Sequence, residues 1–171
     1  GGRASARETV SRVIAGAFCE QALKKLSPET KIIGFVSKIG EFDCDLILAK
    51  NAKRIDVDQY PARFPNKDLQ FISEKLEMAK ANGDSYGGIA EIHIHNPPVG
   101  LGQPVFHKLK SELANAAMSL GATIGVDFGD GYESIKQNGI EFHSTAADSQ
   151  YGGIQGGIST GKMIRFRVFF K

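Results

Sequence analysis

Residues 88–95 read Gly-Ile-Ala-Glu-Ile-His-Ile-His. In an extended chain Ala90, Ile92 and Ile94 fall on one side, and Glu91, His93 and His95 on the other. Residues 163–170 repeat the pattern. Ile164, Phe166, Val168 and Phe170 form an apolar side, and Arg165 and Arg167 share the opposite one. Strands with one apolar face and one charged face need a sheet whose covered side is packed by other elements. That requirement constrains the fold more than any other feature of the chain.

The rest of the sequence supplies the covering elements. Residues 5–26 read as a helix, with Val10, Val13, Ile14, Ala17, Phe18, Ala22 and Leu26 recurring every three or four positions. Ser5-Ala6-Arg7-Glu8 has the form of a capping box, and Ser27-Pro28 ends the segment. Residues 31–39 and 43–49 are expected to be two strands of a hairpin around Gly40. Residues 51–65, with two prolines, read as a loop. A second helix is expected over 66–82, carrying Leu69, Ile72, Leu76 and Ala79 on one face and Gly83 past its end. A third opens at Pro104 and runs to Gly121. Residues 122–128 form a short strand, 132–137 are weakly helical, 139–150 are polar and ambiguous, and 152–161 form a glycine loop. Strand often follows strand, so the expected class is α+β with antiparallel pairing.

Composition bounds the function. The chain has 171 residues, 42% hydrophobic and 23% charged, which suits one globular domain and excludes a disordered chain. No apolar run reaches the ~18 residues of a membrane span. A net charge of +2 and the lack of tryptophan or a basic-aromatic stripe give no footprint for nucleic acid. The charge is uneven, however. Arg3, Arg7 and Arg12 lie near one end and Lys162, Arg165, Arg167 and Lys171 near the other, and the two basic ends are candidates for one anionic ligand. Asp127, Asp130, Glu133, Glu141 and Asp148 make the stretch between them acidic. Two cysteines are too few for a disulfide framework; Cys19 is expected to be a buried thiol in a reducing compartment.

Three segments invite chemical readings. Gly1–Arg7 offers free N–H groups, glycines and arginines at a helix start, a setting that favours a phosphate or carboxylate, though Ser5 also serves as a plain cap. Gly156–Lys162 matches the front of a Walker A loop. Met163 then stands where a magnesium-binding hydroxyl is expected, and a strand follows where a helix should, so nucleotide hydrolysis is a minor alternative. His93 and His95 have a spacing that can bind metal, but no further ligand completes a set, and with His107 and His143 they read as polar-face histidines. Asp127-Phe128-Gly129-Asp130-Gly131 reads as a strand-turn-helix junction.

Several of these stretches resemble the signatures of chorismate synthases. Gly1-Gly2-Arg3-Ala4-Ser5-Ala6-Arg7-Glu8-Thr9 resembles Gly-Gly-Arg-Ser-Ser-Ala-Arg-Glu-Thr. Gly83–Gly88 resembles Gly-Asp-Ser-x-Gly-Gly, and Pro98–Phe106 resembles Pro-x-Gly-Leu-Gly-x-Pro-Val-Phe. Met118-Ser119 and 125–131 follow in order, and 152–161 resembles Gly-Gly-Ile-x-Gly-Gly-Ile-Ser-x-Gly. The resemblance implies a β-α-β sandwich of antiparallel sheets with packed helices, a homotetramer and a cytoplasmic or plastid location. It implies 1,4-anti elimination of phosphate from 5-enolpyruvylshikimate 3-phosphate to give chorismate, with reduced FMN as cofactor and no role for metal, membrane or nucleic acid. It assigns Arg3, Ala4 and Ser5 to FMN, together with Gln150 and Tyr151 at the positions of an Asn-Ala pair, and Arg7 to the substrate. Ala4 for Ser and Ser149-Gln150-Tyr151 for Asn-Asn-Ala are departures. The family's acid-base histidines match none of the four here and are expected upstream of Gly1, with further arginines downstream of Lys171. The chain therefore reads as the central part of a single domain, inactive by itself. A non-catalytic flavin- or phosphate-binding module on the same scaffold is the alternative.

Overall fold

A computed structural model describes residues 6–144 and 149–171. A 3-10 turn at Ala6–Glu8 leads into α1 (Thr9–Leu26). The α-helix thus begins later than the capping box placed it. Ser5 lies outside the described residues, and the Glu8 carboxylate pairs with Arg12 at 3.4 Å. β1 (Lys31–Ile39) and the two-residue β2 (Phe42–Asp43) form the expected hairpin, but 43–49 is not a strand. Asp45 accepts hydrogen bonds from Ile47 N and Leu48 N and so caps α2 (Leu46–Asn51). The expected loop holds α3 (Arg54–Val57) and a 3-10 turn at Pro61–Arg63. α4 (Leu69–Ala81) is capped by Asp68, whose carboxylate accepts from Phe71 N at 2.9 Å.

β3 (Gly88–His95) has the predicted bounds. The third helix starts later than Pro104 suggested. α5 is Leu109–Met118, because Gln103 and His107 form an isolated antiparallel bridge that keeps residues 104–108 out of the helix. β4 (Thr123–Phe128) follows, then a 3-10 stretch at Gly131–Lys136 and α6 (Gly139–Ser144). The glycine segment contains a small hairpin, β5 (Ile154–Gln155) with β6 (Ile158–Ser159). β7 (Ile164–Phe170) is the last element, so Lys162 is followed by a strand and not by a phosphate-binding helix.

The large sheet has the order β2-β1-β3-β7-β4, with every pairing antiparallel. Its register aligns the two alternating strands. Ile92 lies opposite Phe166, which lies opposite Phe128; Glu91 lies opposite Arg167, which lies opposite Asp127. Leu109, Leu113 and Ala117 of α5 cover the apolar side, packing with Ile94, Ile164, Phe166 and Val168. A second core gathers Phe35 of β1 with Cys44, Ala49, Val57, Phe64 and Ile72, where α2–α4 meet the sheet. α1 departs from expectation. No side chain along it is buried: Phe18 is 70% exposed, and Cys19 is exposed where a buried thiol was expected.

Candidate functional site

Three loops leave the same end of the sheet, where β3 and β4 finish and β7 begins. They are residues 96–108, 129–138 and 152–163. Their backbones interlock. Ser159 is buried, and its Oγ donates to Pro98 O at 2.6 Å while accepting from Leu101 N at 2.8 Å. Leu109 N donates to Gly157 O at 2.7 Å. On the other side Gly129 N donates to Arg165 O, Arg165 N to Gly152 O and Asp130 N to Gln150 O, all within 3.2 Å. This junction needs glycine. A Cβ on Gly129 would stand 2.1 Å from Gln150 O, and one on Gly152 would stand 2.6 Å from Arg165 O.

Gln150 and Tyr151 are held inside this frame. Gln150 is 2% exposed, and its Nε2 donates to Phe142 O at 2.8 Å. That bond fixes which way the amide points. Its Oε1 is buried, and no described residue donates to it. The Tyr151 hydroxyl hydrogen-bonds His143 Nδ1, and its ring packs edge-on against Phe142. The same Tyr-Gly-Gly-Ile sequence occurs at 86–89 and 151–154 with different geometry: Gly88 opens β3, whereas Gly152 and Gly153 both have positive φ.

The charged face lies beside the junction. Arg167 forms a fork with both Asp127 oxygens at 2.8 and 2.7 Å, and Arg165 reaches Asp130 at 3.1 Å. Glu91 pairs with His93 at 2.7 Å. Burial alone would raise the Glu91 pKa. The hydrogen bond from His93 and the charges of His93, Arg165 and Arg167 outweigh it and hold the carboxyl below its usual range. Burial, then His93 and Lys31, lower the His95 pKa. The Cys44 thiol is pushed up to about 11, mainly by burial and secondarily by Glu91, so it is not a nucleophile. No group of three or more His, Cys, Asp or Glu among the described residues is placed to hold a metal ion. No described helix is long and apolar enough to cross a membrane.

The sequence-assigned residues do not all come together. Arg3, Ala4 and Ser5 lie outside the described residues. Arg7 is exposed at the start of the first helical segment. Arg12, further along, donates to Ser119 Oγ and O just past the end of α5. The beginning of α5 is bonded to the glycine loop. Arg12 and Gly157 thus touch opposite ends of α5, about 15 Å apart along the helix. Of the two basic ends, Arg3 lies outside the described residues. Arg165 and Arg167 are neutralised by Asp130 and Asp127. Sequence reading treated Asp127–Gly131 as a plain junction and missed this pairing. The signal was present as two acids three apart and two arginines on one strand face, but their register was not.

The three interlocked loops contain the segments of the sequence richest in family motifs. A family model described as chorismate synthase matches residues 1–171. The chain belongs to the chorismate synthase family. A chorismate synthase of Bdellovibrio bacteriovorus is 49% identical over 171 residues, all of this chain and 50% of that protein. One from Prochlorococcus marinus is 40% identical over an alignment of 183 residues, again all of this chain and 50% of the relative. A solved structure, described as the crystal structure of chorismate synthase, is 29% identical with a TM-score of 0.85, over 98% of this chain and 56% of that one. The chain spans about half the length of the curated relatives it matches. The α+β chorismate synthase fold with an antiparallel sheet and packed helices is the expected one.

Proposed function

We propose that the protein containing this chain is a chorismate synthase. It eliminates phosphate from 5-enolpyruvylshikimate 3-phosphate in the 1,4-anti sense to give chorismate. The observation that carries the reading is the family match across all 171 residues. Reduced FMN is the proposed cofactor. When bound, reduced flavin would supply electron density transiently to the substrate as phosphate leaves, with no net redox change. The chain fits a flavin in one respect. The buried Gln150 Oε1 receives no hydrogen bond from the described residues, and a flavin ring carries an N–H that could donate to it. Gln150 and the backbone of Tyr151 would hold the flavin from the glycine-loop end, and Arg3, Ala4 and Ser5 from the helix-start end. Arg7 would meet the substrate phosphate, and an exposed guanidinium suits a doubly charged anion.

A homotetramer is the assembly proposed, on the family membership alone. The replacement of Asn-Asn-Ala by Ser149-Gln150-Tyr151 is the observation that favours the second reading, a flavin- or phosphate-binding module without turnover.

Genetic complementation tests the assignment. The gene, expressed as encoded in a bacterium deleted for its own chorismate synthase, should restore growth without aromatic supplements. Accumulation of folded protein without growth would contradict it.

A further inference from the structure

We propose that Arg165 and Asp130 are positioning residues that hold the Gln150–Tyr151–Gly152 backbone in the shape that receives the flavin. The inference rests on the flavin reading above. The backbone contacts form a closed frame around these three residues. Arg165 N donates to Gly152 O at 3.2 Å, and Asp130 N donates to Gln150 O at 3.2 Å. Gly129 N returns to Arg165 O at 3.1 Å. Each contact joins the Gln150–Gly152 segment, or the turn beneath it, to either Arg165 or its neighbour in the 129–131 turn.

The frame is braced by one side-chain bond, Arg165 Nη2 to Asp130 Oδ1 at 3.1 Å. Both side chains are about 30% exposed, 30% and 28%, so the ion pair by itself adds little to global stability. Its effect is local: it joins Arg165, whose N–H bonds Gly152 O, to Asp130, whose N–H bonds Gln150 O. The second pair, Arg167 with Asp127, is a fork between β7 and β4 themselves and makes no side-chain hydrogen bond to residues 150–152. Arg167 also donates to Asp130 O, but at 3.4 Å. The two pairs lie side by side with different jobs. One ties strand to strand, and the other ties β7 to the 129–131 turn, at the two residues whose backbone N–H groups bond Gly152 and Gln150. Support of this kind sets the precision of a site whose contacting atoms are largely backbone.

The test uses the protein as encoded, carrying Asp130→Asn, Arg165→Met or Arg165→Lys, with Asp127→Asn as the comparison. FMN affinity and the absorption spectrum of bound flavin are read beside Tm and backbone hydrogen exchange at residues 150–153. Asp130→Asn and Arg165→Met should each weaken FMN binding about tenfold, alter the bound-flavin spectrum and speed exchange at 150–153. Arg165→Lys, which keeps the charge, should recover part of the affinity. Asp127→Asn should lower Tm and leave FMN affinity within about twofold. FMN affinity and exchange unchanged in Asp130→Asn and Arg165→Met would overturn the proposal. So would an equal loss in Asp127→Asn, which would mark the effect as general destabilisation. Failure of the unaltered protein to bind FMN would instead overturn the flavin reading on which the proposal rests. The exchange measurement would then still decide whether the pair positions the loop.

Discussion

At the scale of single residues, most of what holds the loop junction is glycine and charge. Gly129 and Gly156 share nearly the same φ, +61° and +59°, but differ in surroundings. A methyl group on Gly129 would collide with the Gln150 carbonyl, while on Gly156 it would meet open space. Gly129→Ala should therefore cost more than about 2 kcal/mol in denaturant unfolding, and Gly156→Ala only about 1 kcal/mol, the strain of the left-handed conformation. Equal costs would refute the close approach. Acid should also find the charged face. His95 has a folded-state pKa below its usual 6.5, and Glu91 one below 4.5. In each case the unfolded chain binds protons first, so stability is whole above the unfolded pKa and is lost as pH falls through the folded one. Tm should fall from pH 7 to pH 4. His95→Gln should flatten the slope that begins near pH 6.5, and Glu91→Gln the one that begins near pH 4.5. A Tm that rises on acidification would contradict both assignments.

At the scale of elements, α4 illustrates a helix whose limits are chemical. Asp68 caps its first turn and Ile72, 2% exposed, anchors it. Asp68→Ala should cost about 1 kcal/mol and Ile72→Ala about 2–5 kcal/mol; a reversed order would mean that the helix is not held by its core contact. β3 and β7 were fully legible in the sequence, because period-2 alternation survives any tertiary context that keeps one face buried. α5 was legible in type but not in its start, since Pro104 is a good first helical residue and only the long-range bridge between Gln103 and His107 decides otherwise. Residues 43–49 failed for a local reason. Leu46-Ile47-Leu48-Ala49 has strand composition, but Asp45 accepts two backbone N–H bonds and nucleates a helix. The site was legible only through motif resemblance. The pairing of Arg165 with Asp130 depends on strand register, which no spacing rule supplies.

At the scale of the molecule, the unusual element is α1. Its middle, Val13-Ile14-Ala15-Gly16-Ala17-Phe18-Cys19, is apolar or small all round, a pattern of interior helices. In this fold it touches the body mainly through polar bonds, Arg12 to Ser119 and Glu20 to Arg54. A cleft of about 590 Å³ remains beside it, lined in part by Val13, Ala17, Leu23 and Ile32. The 171-residue chain should therefore bind an apolar dye. Val13→Ser with Phe18→Ser should reduce that binding while changing stability by less than about 1 kcal/mol, within the usual range for two surface substitutions. A large loss of stability would mean that α1 is packed.

The proposed chemistry is tested most directly by following chorismate and phosphate together. The protein as encoded is mixed with 5-enolpyruvylshikimate 3-phosphate under anaerobic conditions, with FMN either reduced or oxidised. Chorismate and phosphate should appear in equal amounts with reduced FMN and not with oxidised FMN. Flavin binding without either product, from correctly folded protein, would contradict the enzyme assignment and leave the binding module in its place.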